Sequence, residues 1–391
     1  MKKIFILSPL ALENGRGGEI SSMELAAGLS KYYNIIFSDT NRLSGNKLLS
    51  RKIIMKKLKD IKNVYRLNFA TANIGNKYFD IIYPWEFIKL IRLTRNCDII
   101  YTSVSNFKIS FMFMILSIIN RRAKLIIGYR RPLYSNKLFS IYNIRYRLTI
   151  LLYSLFKKRI YHHALSNHGK IFLDKFYDSR KVSHITHGIE LKDYSEIEFN
   201  KNPSELLKFV YIGYLDDIHK GVKVLLRGIE GFIQKSQPND VIFEFCGMGP
   251  LDSEVKALEM KYPQHVKFNG YINYDKIHNY YKKSDVFLFS SRREPFPRVL
   301  MEALAAKLVI ICSKTIGSLE LLKNKEFAFF INKLNSEEIT EKILEVYKLW
   351  KSDNIKFKHL QTLAQRFAFN NYSTEIEINL FRDWIEKITK T

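Results

Sequence analysis

Cysteine is scarce in this sequence. Cys97, Cys246 and Cys312 stand far apart, without the paired spacings of a disulfide framework or a zinc site. Cys246 and Cys312 lie in or beside apolar runs, so the thiols are expected to be buried in a reducing cytosol. Long apolar runs are also missing. The longest, Phe111 to Ile119 with its neighbours, is closed off by Lys108 and Arg121 and cannot span a bilayer. The opening Met-Lys-Lys-Ile-Phe-Ile-Leu-Ser-Pro is too short in its apolar part for a signal peptide and is expected as a first parallel strand. There is no sequence repeat. Acidic residues are outnumbered, 38 against 63 Lys and Arg, which leaves a formal net charge of +25. An excess of that size attracts polyanions: nucleic acid, an anionic membrane surface or phosphorylated substrates.

What is present points to a globular chain. A hydrophobic content of 47% with 14% aromatics excludes general disorder, and 391 residues are too many for one ordinary core. Short apolar strands alternate with amphipathic helices through both halves. In the first half the strands are Ile4 to Leu7, Asn34 to Ser38, Asp98 to Thr102, Lys124 to Gly128 and Ala164 to Ser166. In the second they are Lys208 to Gly213, Val241 to Cys246, Val266 to Asn269, Asp285 to Phe289 and Leu308 to Cys312. Such alternation predicts an α/β fold of two doubly wound, Rossmann-like domains with helices on both faces of parallel sheets. The polar stretch that follows Gly188-Ile-Glu190 and runs through Pro203 marks the boundary. The expected domains are 1–200 and 201–370, with 371–391 as a helix returning to the first. Two stretches carry many cations among apolar residues: Asn46 to Leu67, expected as a basic amphipathic helix, and Lys137 to His163, which interleaves Tyr142, Tyr146 and Tyr153 with Arg and Lys. Both patterns suit an anionic membrane interface as well as a solvated helix face.

The chemistry concentrates in Ser290 to Ala306. Here a strand turns through Pro295 and Pro297 into a helix, with Pro297 suited to the first helical position. Glu294 then lies in the strand-to-helix loop and Glu302 inside the helix. Backbone N–H groups at such a helix start can hold a phosphate, and a carboxylate can grip a vicinal diol. Spacing alone leaves the plainer reading open, in which Glu294 caps the helix and Glu302 faces solvent. A second strand, glycine loop and helix stands at Asn14-Gly-Arg-Gly-Gly-Glu19, where backbone can approach a phosphate or simply turn. In parallel sheets ligands bind beyond the carboxyl ends of strands, which draws attention to Gly128-Tyr-Arg-Arg-Pro.

Taken together, several motifs resemble family 4 glycosyltransferases, retaining enzymes of the GT-B fold. They are Gly17-Gly18-Glu19, His187-Gly-Ile-Glu, Tyr211-Ile-Gly-Tyr-Leu with Lys220-Gly221, Gly247-Met-Gly-Pro250, and Glu294 followed after seven residues by Glu302. The resemblance covers almost the whole chain and is strongest from Lys208 to Leu322. It implies two domains facing a cleft, a nucleotide-activated sugar held by the second domain, and an acceptor held by the first. Lys220 would neutralise the diphosphate, Glu294 would hold sugar hydroxyls, Glu302 would grip the ribose, and the Gly17-Gly18 backbone would approach the phosphates. Gly247, Phe296, Pro297, Arg298 and Val299 complete the implied donor site. Charge on the leaving diphosphate is then met by fixed cations and helix N-termini, so no metal or other cofactor is required.

The sequence departs from the family at three points. Tyr214 stands where an Arg is usual, so Lys220 needs another cation; Arg298 is favoured over Arg292 and Arg293. Arg130 and Arg131 follow the strand that usually ends in a His, and together with His187 they are assigned to the acceptor side. Lys307 and Val309 replace a usual Gly and Pro. The other histidines have no coherent carboxylate or Cys partners in sequence and read as structural. The resulting expectation is a cytoplasmic enzyme, peripheral on the inner face of the plasma membrane. It would move sugar from a nucleoside diphosphate to a glycan acceptor, a lipid-linked one being favoured by the charge, and nucleic acid is not expected as a partner. The alternatives are an inactive or binding-only GT-B protein, a basic polyanion binder, and a glycoside hydrolase using Glu294 and Glu302.

Overall fold

The computed structural model describes residues 1–8, 10–14, 17–41, 49–74, 77–103, 112, 114–116, 118–129, 153, 159–195 and 206–390, with backbone alone at 69–74 and 77–81. Arg130, Arg131 and most of the Lys137 to His163 stretch therefore lie outside the described residues. The chain forms two compact units, Met1–Gly188 with Thr374–Thr391, and Ile189–Ser373. The boundaries expected from sequence were 200/201 and 370/371.

The first unit is built on β1 (Lys3–Leu7), α1 (Gly17–Leu29), β2 (Asn34–Thr40), α2 (Arg51–Lys57), β3 (Asn63–Leu67), the hairpin β4 (Phe69–Ile74) and β5 (Lys77–Ile82), α3 (Pro84–Thr94), β6 (Ile99–Thr102), β7 (Lys124–Tyr129), β8 (Ile160–Ala164), α4 (Asn167–Asp174) and β9 (Val182–His184). Seven strands pair in the order β3-β2-β1-β6-β7-β8-β9, all in parallel. Ile4 to Leu7 and Leu125 to Ile127 are each at most 1% exposed, as strands covered on both faces must be.

One helix expected from sequence is not there. Asn46 to Leu67 does not form a single basic helix; α2 holds only two turns, started by Ser50, whose side chain accepts from the Ile53 N–H. Asn63 to Leu67 is instead an edge strand, in register with Ile36 to Thr40 of β2. The run of lysines hid the strand, since apolar residues at helical spacing up to Ile61 give way to Val64, Tyr65 and Leu67 in extended chain.

The second unit contains α5 (Lys192–Ser195), β10 (Leu207–Ile212), α6 (Val222–Ser236), β11 (Val241–Cys246), α7 (Asp252–Lys261), β12 (Val266–Gly270), α8 (Ile277–Lys283), β13 (Val286–Phe289), α9 (Arg298–Ala305), β14 (Val309–Ser313), α10 (Ile316–Leu322), β15 (Ala328–Ile331), α11 (Ser336–Ser352) and α12 (Asn354–Asn371). Its strands run in the order β12-β11-β10-β13-β14-β15, again all parallel. The order reverses between β10 and β13. That is the switch point where the loops leaving two adjacent strands diverge and leave room for a ligand.

The last helix, α13 (Thr374–Lys390), belongs to the first unit and packs on α1. Gly28 permits this approach, because a Cβ there would collide with Ile378. Tyr33 donates to Glu386 at 3.0 Å, and Lys2 pairs with the same carboxylate. Phe381 stands edge-on to Tyr101 and His163. His163 in turn bonds the Tyr101 hydroxyl through Nδ1 and the Ile185 carbonyl through Nε2. His162 lies flat on Tyr177 with ring centres 3.7 Å apart, and burial pushes its pKa down to about 3. These two histidines are core residues. All three cysteines are buried and free, and burial raises each thiol pKa.

Candidate active site

The loop from β10 to α6 is folded by its own side chains. Asp216 accepts from the backbone N–H of His219 at 2.7 Å and of Lys220 at 3.0 Å, a turn that Asp forms readily. Gly221 follows with φ +63, in the left-handed region that glycine enters without steric cost. A Cβ at this position would also lie 2.5 Å from the Ser290 carbonyl oxygen. The close approach is used: Ser290 Oγ donates to the Lys220 carbonyl at 2.7 Å, and the Arg292 N–H donates to the His219 carbonyl at 2.8 Å. The loop after β10 is thereby stitched to the loop after β13.

Stitching brings Lys220 and Glu294 together. Lys220 Nζ lies 3.2 Å from Glu294 Oε1, and each side chain keeps about a quarter of its surface, 23% and 27%, open. Glu294 is fixed from behind, since its carbonyl accepts from the Gly317 N–H at 2.9 Å. Gly317 is small for a reason: a Cβ there would be 2.5 Å from Pro297 Cδ and 2.7 Å from the Pro295 carbonyl carbon. A partly open cation and carboxylate, held by stitched loops at a switch point, can meet a phosphate and a hydroxyl-bearing group side by side.

Arg298 and Glu302 form a separate, buried pair. Arg298 Nε donates to Glu302 Oε1 at 2.8 Å across one helical turn, and the residues are 8% and 5% exposed. Tyr281 donates to the other carboxylate oxygen at 3.2 Å, and Arg298 Nη2 donates to the Tyr274 hydroxyl at 3.0 Å. Tyr281 is fully buried, and its pKa stands well above the usual phenol value through burial first and the Glu302 charge second. The sequence assigned Arg298 to help Lys220; in the structure its guanidinium bonds Glu302 and Tyr274. Of the other two candidates, Arg292 is on Asp217 at 3.3 Å and Arg293 is exposed. Pro297 precedes the first helical residue rather than occupying that position.

The remaining donor-side candidates divide between contact and packing. Phe296 is buried edge-on to Tyr372, Pro297 is buried, and Val299 is half-buried with its carbonyl 3.5 Å from the Tyr281 hydroxyl. A Cβ on Gly247 would overlap the Gly213 carbonyl oxygen, and one on Gly249 would overlap that of Leu215, so both glycines are required by loop packing. Tyr214 is 48% exposed, and its carbonyl accepts from Tyr211.

In the first unit, Gly17 and Gly18 open α1, their carbonyls accepting from Ser21 and Ser22. A Cβ on Gly17 would meet nothing within 4 Å, so packing does not demand a glycine there. His187 is buried with Nδ1 3.7 Å from Glu377 Oε1, and the other Glu377 oxygen accepts from the Gly188 N–H at 2.8 Å. Sequence reasoning missed Tyr274, Tyr281 and Ser290, which carry no motif; Asp216, four residues before Lys220, was readable as a turn former.

Comparison with known proteins places this geometry in context. Residues 194–358 match the family described as "Glycosyl transferases group 1". An uncharacterized glycosyltransferase of Methanocaldococcus jannaschii, MJ1607, is 23% identical over 176 residues, 44% of each chain. The chain spans about half the length, or less, of the curated relatives it matches. Among solved structures, Anabaena HepE in complex with UDP and glucose superposes with a TM-score of 0.72 at 18% identity, covering all of both chains. The lipopolysaccharide outer core galactosyltransferase WaaB gives 0.66 at 14% identity, covering 99% of this chain and all of the other. The two-sheet architecture is the GT-B fold of these neighbours.

Proposed function

We propose, on the match of residues 194–358 to the group 1 glycosyltransferases, that the chain transfers a sugar from a nucleoside diphosphate to a glycan acceptor with retention of anomeric configuration. The observation that carries this reading is the Lys220–Glu294 pair, 3.2 Å apart at the switch point of the second sheet. Lys220 Nζ receives the developing charge of the leaving diphosphate, and Glu294 accepts hydrogen bonds from the sugar hydroxyls. Arg293, exposed and without an ion-pair partner among the described residues, takes the place of the absent Arg at Tyr214. Glu302 is oriented by Arg298 and Tyr281 toward the ribose. Charge compensation by Lys and backbone N–H groups makes the reaction independent of a metal.

UDP bound to HepE makes a uridine diphosphate sugar the first donor to try. The lipopolysaccharide substrate in WaaB's description supports a lipid-linked glycan acceptor, as does the net charge of +25. No helix among the described residues is long and apolar enough to cross a membrane; the net charge of +25 supports a peripheral position on the inner membrane face as part of this proposal.

The test is a thermal-shift panel of nucleoside diphosphates and their sugars, followed by transfer assays with the stabilising donor. Lys220→Ala should lower transfer by about 10²–10³-fold while leaving the melting temperature of the free protein nearly unchanged. If no nucleotide stabilises the wild type and DNA binds with steep salt dependence, the chain is a polyanion binder and the proposal fails.

A further inference from the structure

The exposed face of α3 presents an aromatic and an aliphatic side chain together. Trp85 is 61% exposed and Ile88, one turn on, 49%. Tyr83 stacks on the Trp85 ring with centres 4.5 Å apart, so the indole is held out as a braced pair. Arg92 and Arg95 continue the same stripe at helical spacing, both exposed and neither in an ion pair among the described residues. The one acid of this helix, Glu86, is turned inward, where it accepts from Asn68 at 3.0 Å and lies 3.6 Å from Lys89. The exposed stripe therefore carries an aromatic, an aliphatic and two cations, with no carboxylate.

Position adds to composition. Lys89 Nζ donates to the carbonyl of Arg66, and Asn68 follows directly on β3. These bonds hold the first turns of α3 at the carboxyl end of β3, the edge of a parallel sheet at which ligands are received.

We infer that the Trp85–Ile88–Arg92–Arg95 face of α3 seats the first unit on an anionic lipid bilayer. Trp85 and Ile88 enter the headgroup boundary, and Arg92 and Arg95 pair with lipid phosphates. A bilayer suits this face better than a protein, because the stripe is convex, singly charged in sign and rich in the residue types that partition to headgroups. The inference locates the contact on α3, away from the Asn46 to Leu67 stretch that the sequence favoured. Its purpose rests on the proposed lipid-borne acceptor, which would arrive at the strand edge beside the anchor; its test does not use catalysis.

The experiment is flotation of the full chain with phosphatidylcholine vesicles, with and without phosphatidylglycerol, alongside tryptophan fluorescence. The wild type should float only with the anionic vesicles and show a blue shift that Trp85→Phe removes. Arg92→Gln with Arg95→Gln should lower partitioning roughly 25-fold, near fivefold for each charge. Trp85→Ala with Ile88→Ala should lower it at least about tenfold. All four positions are exposed, so melting temperatures should hold, and the nucleotide-induced shift should be the same in every variant. Flotation unchanged in both double variants overturns the inference. So does a wild type that ignores anionic vesicles but forms a dimer abolished by Trp85→Ala, since the face would then receive a second copy. Loss of nucleotide binding in the wild type would instead bear on the glycosyltransferase reading alone.

Discussion

The two units use the carboxyl ends of their parallel strands differently. In the second, the loops after β10 and β13 are locked to each other by the Ser290 hydroxyl on the Lys220 carbonyl and the Arg292 N–H on the His219 carbonyl, and the side chains of Lys220 and Glu294 remain partly open. In the first, among the described residues, the charges at the ends of β2 and β3 are paired with one another. Asp39, at the end of β2 and 1% exposed, accepts from Arg66 and from the Leu12 N–H, and Glu13 shares the same guanidinium. Burial beside two charge-assisted partners holds such a group in place and removes it from chemistry with ligands. Bonds that end on main-chain carbonyls leave Lys220 and Glu294 partly open, whereas the carboxylate of Asp39 is itself taken up by Arg66.

The largest test of that contrast is a pair of glycine substitutions. Gly247→Ala forces a methyl onto the Gly213 carbonyl and should cost about 3 kcal/mol or more, read as a fall in melting temperature with loss of the nucleotide-induced shift. Gly17→Ala, where a methyl meets nothing, should leave stability within about 0.5 kcal/mol. Equal destabilisation by the two would show that the second unit's loops are no more tightly built than the first's.

A second effect, spread over several pH units, belongs to the first unit alone. His162 has a folded pKa of about 3 because burial disfavours its charged form, below the ordinary 6.5 of the unfolded chain. The unfolded state therefore binds the extra proton between these values, and stability present above pH 6.5 is lost as pH falls toward 3. The slope approaches about 1.4 kcal/mol per pH unit for this group. His162→Phe should flatten that part of the profile in urea titrations; an unchanged slope would assign the acid sensitivity elsewhere.

The smallest sharpens the second unit. Tyr274→Phe removes one hydrogen bond to Arg298 and leaves its pairing with Glu302, so donor KM should rise by about fivefold, near 1 kcal/mol, with kcat unchanged. A fall in kcat at constant KM would move Arg298 from positioning Glu302 to the reacting centre.

Strands β1, β2, β6 and β7 of the first sheet and β10 to β14 of the second were readable because each is a short apolar run closed by polar residues; β8 was expected only from Ala164 onward, and β9 and β15 were not expected at all. Glu294 and Lys220 were readable through motif spacing. What joins them was not, because the Ser290 hydroxyl and the Arg292 N–H reach main-chain carbonyls that every residue possesses, and the bend at Gly221 carries no motif of its own. Arg298 shows a different limit. Its four-residue spacing to Glu302 was visible, but whether a guanidinium turns to its own helix or to a neighbouring phosphate depends on burial, which Tyr274 and Tyr281 decide from elsewhere in the chain. At β3 the lysines carried a helical signal that pairing with β2 overrode.

The return of α13 to the first unit imposes an order on synthesis. Ribosomes deliver Thr374 to Lys390 only after all of Ile189–Ser373 has been made. Until then Tyr101, His163 and the groove at Gly28 lack the Phe381 and Ile378 side chains that cover them. The second unit can close while it is still tethered to the translating machine; the unit begun first is finished last. A nascent chain halted near residue 373 should thus present protease sites in its opening half and a resistant core behind them.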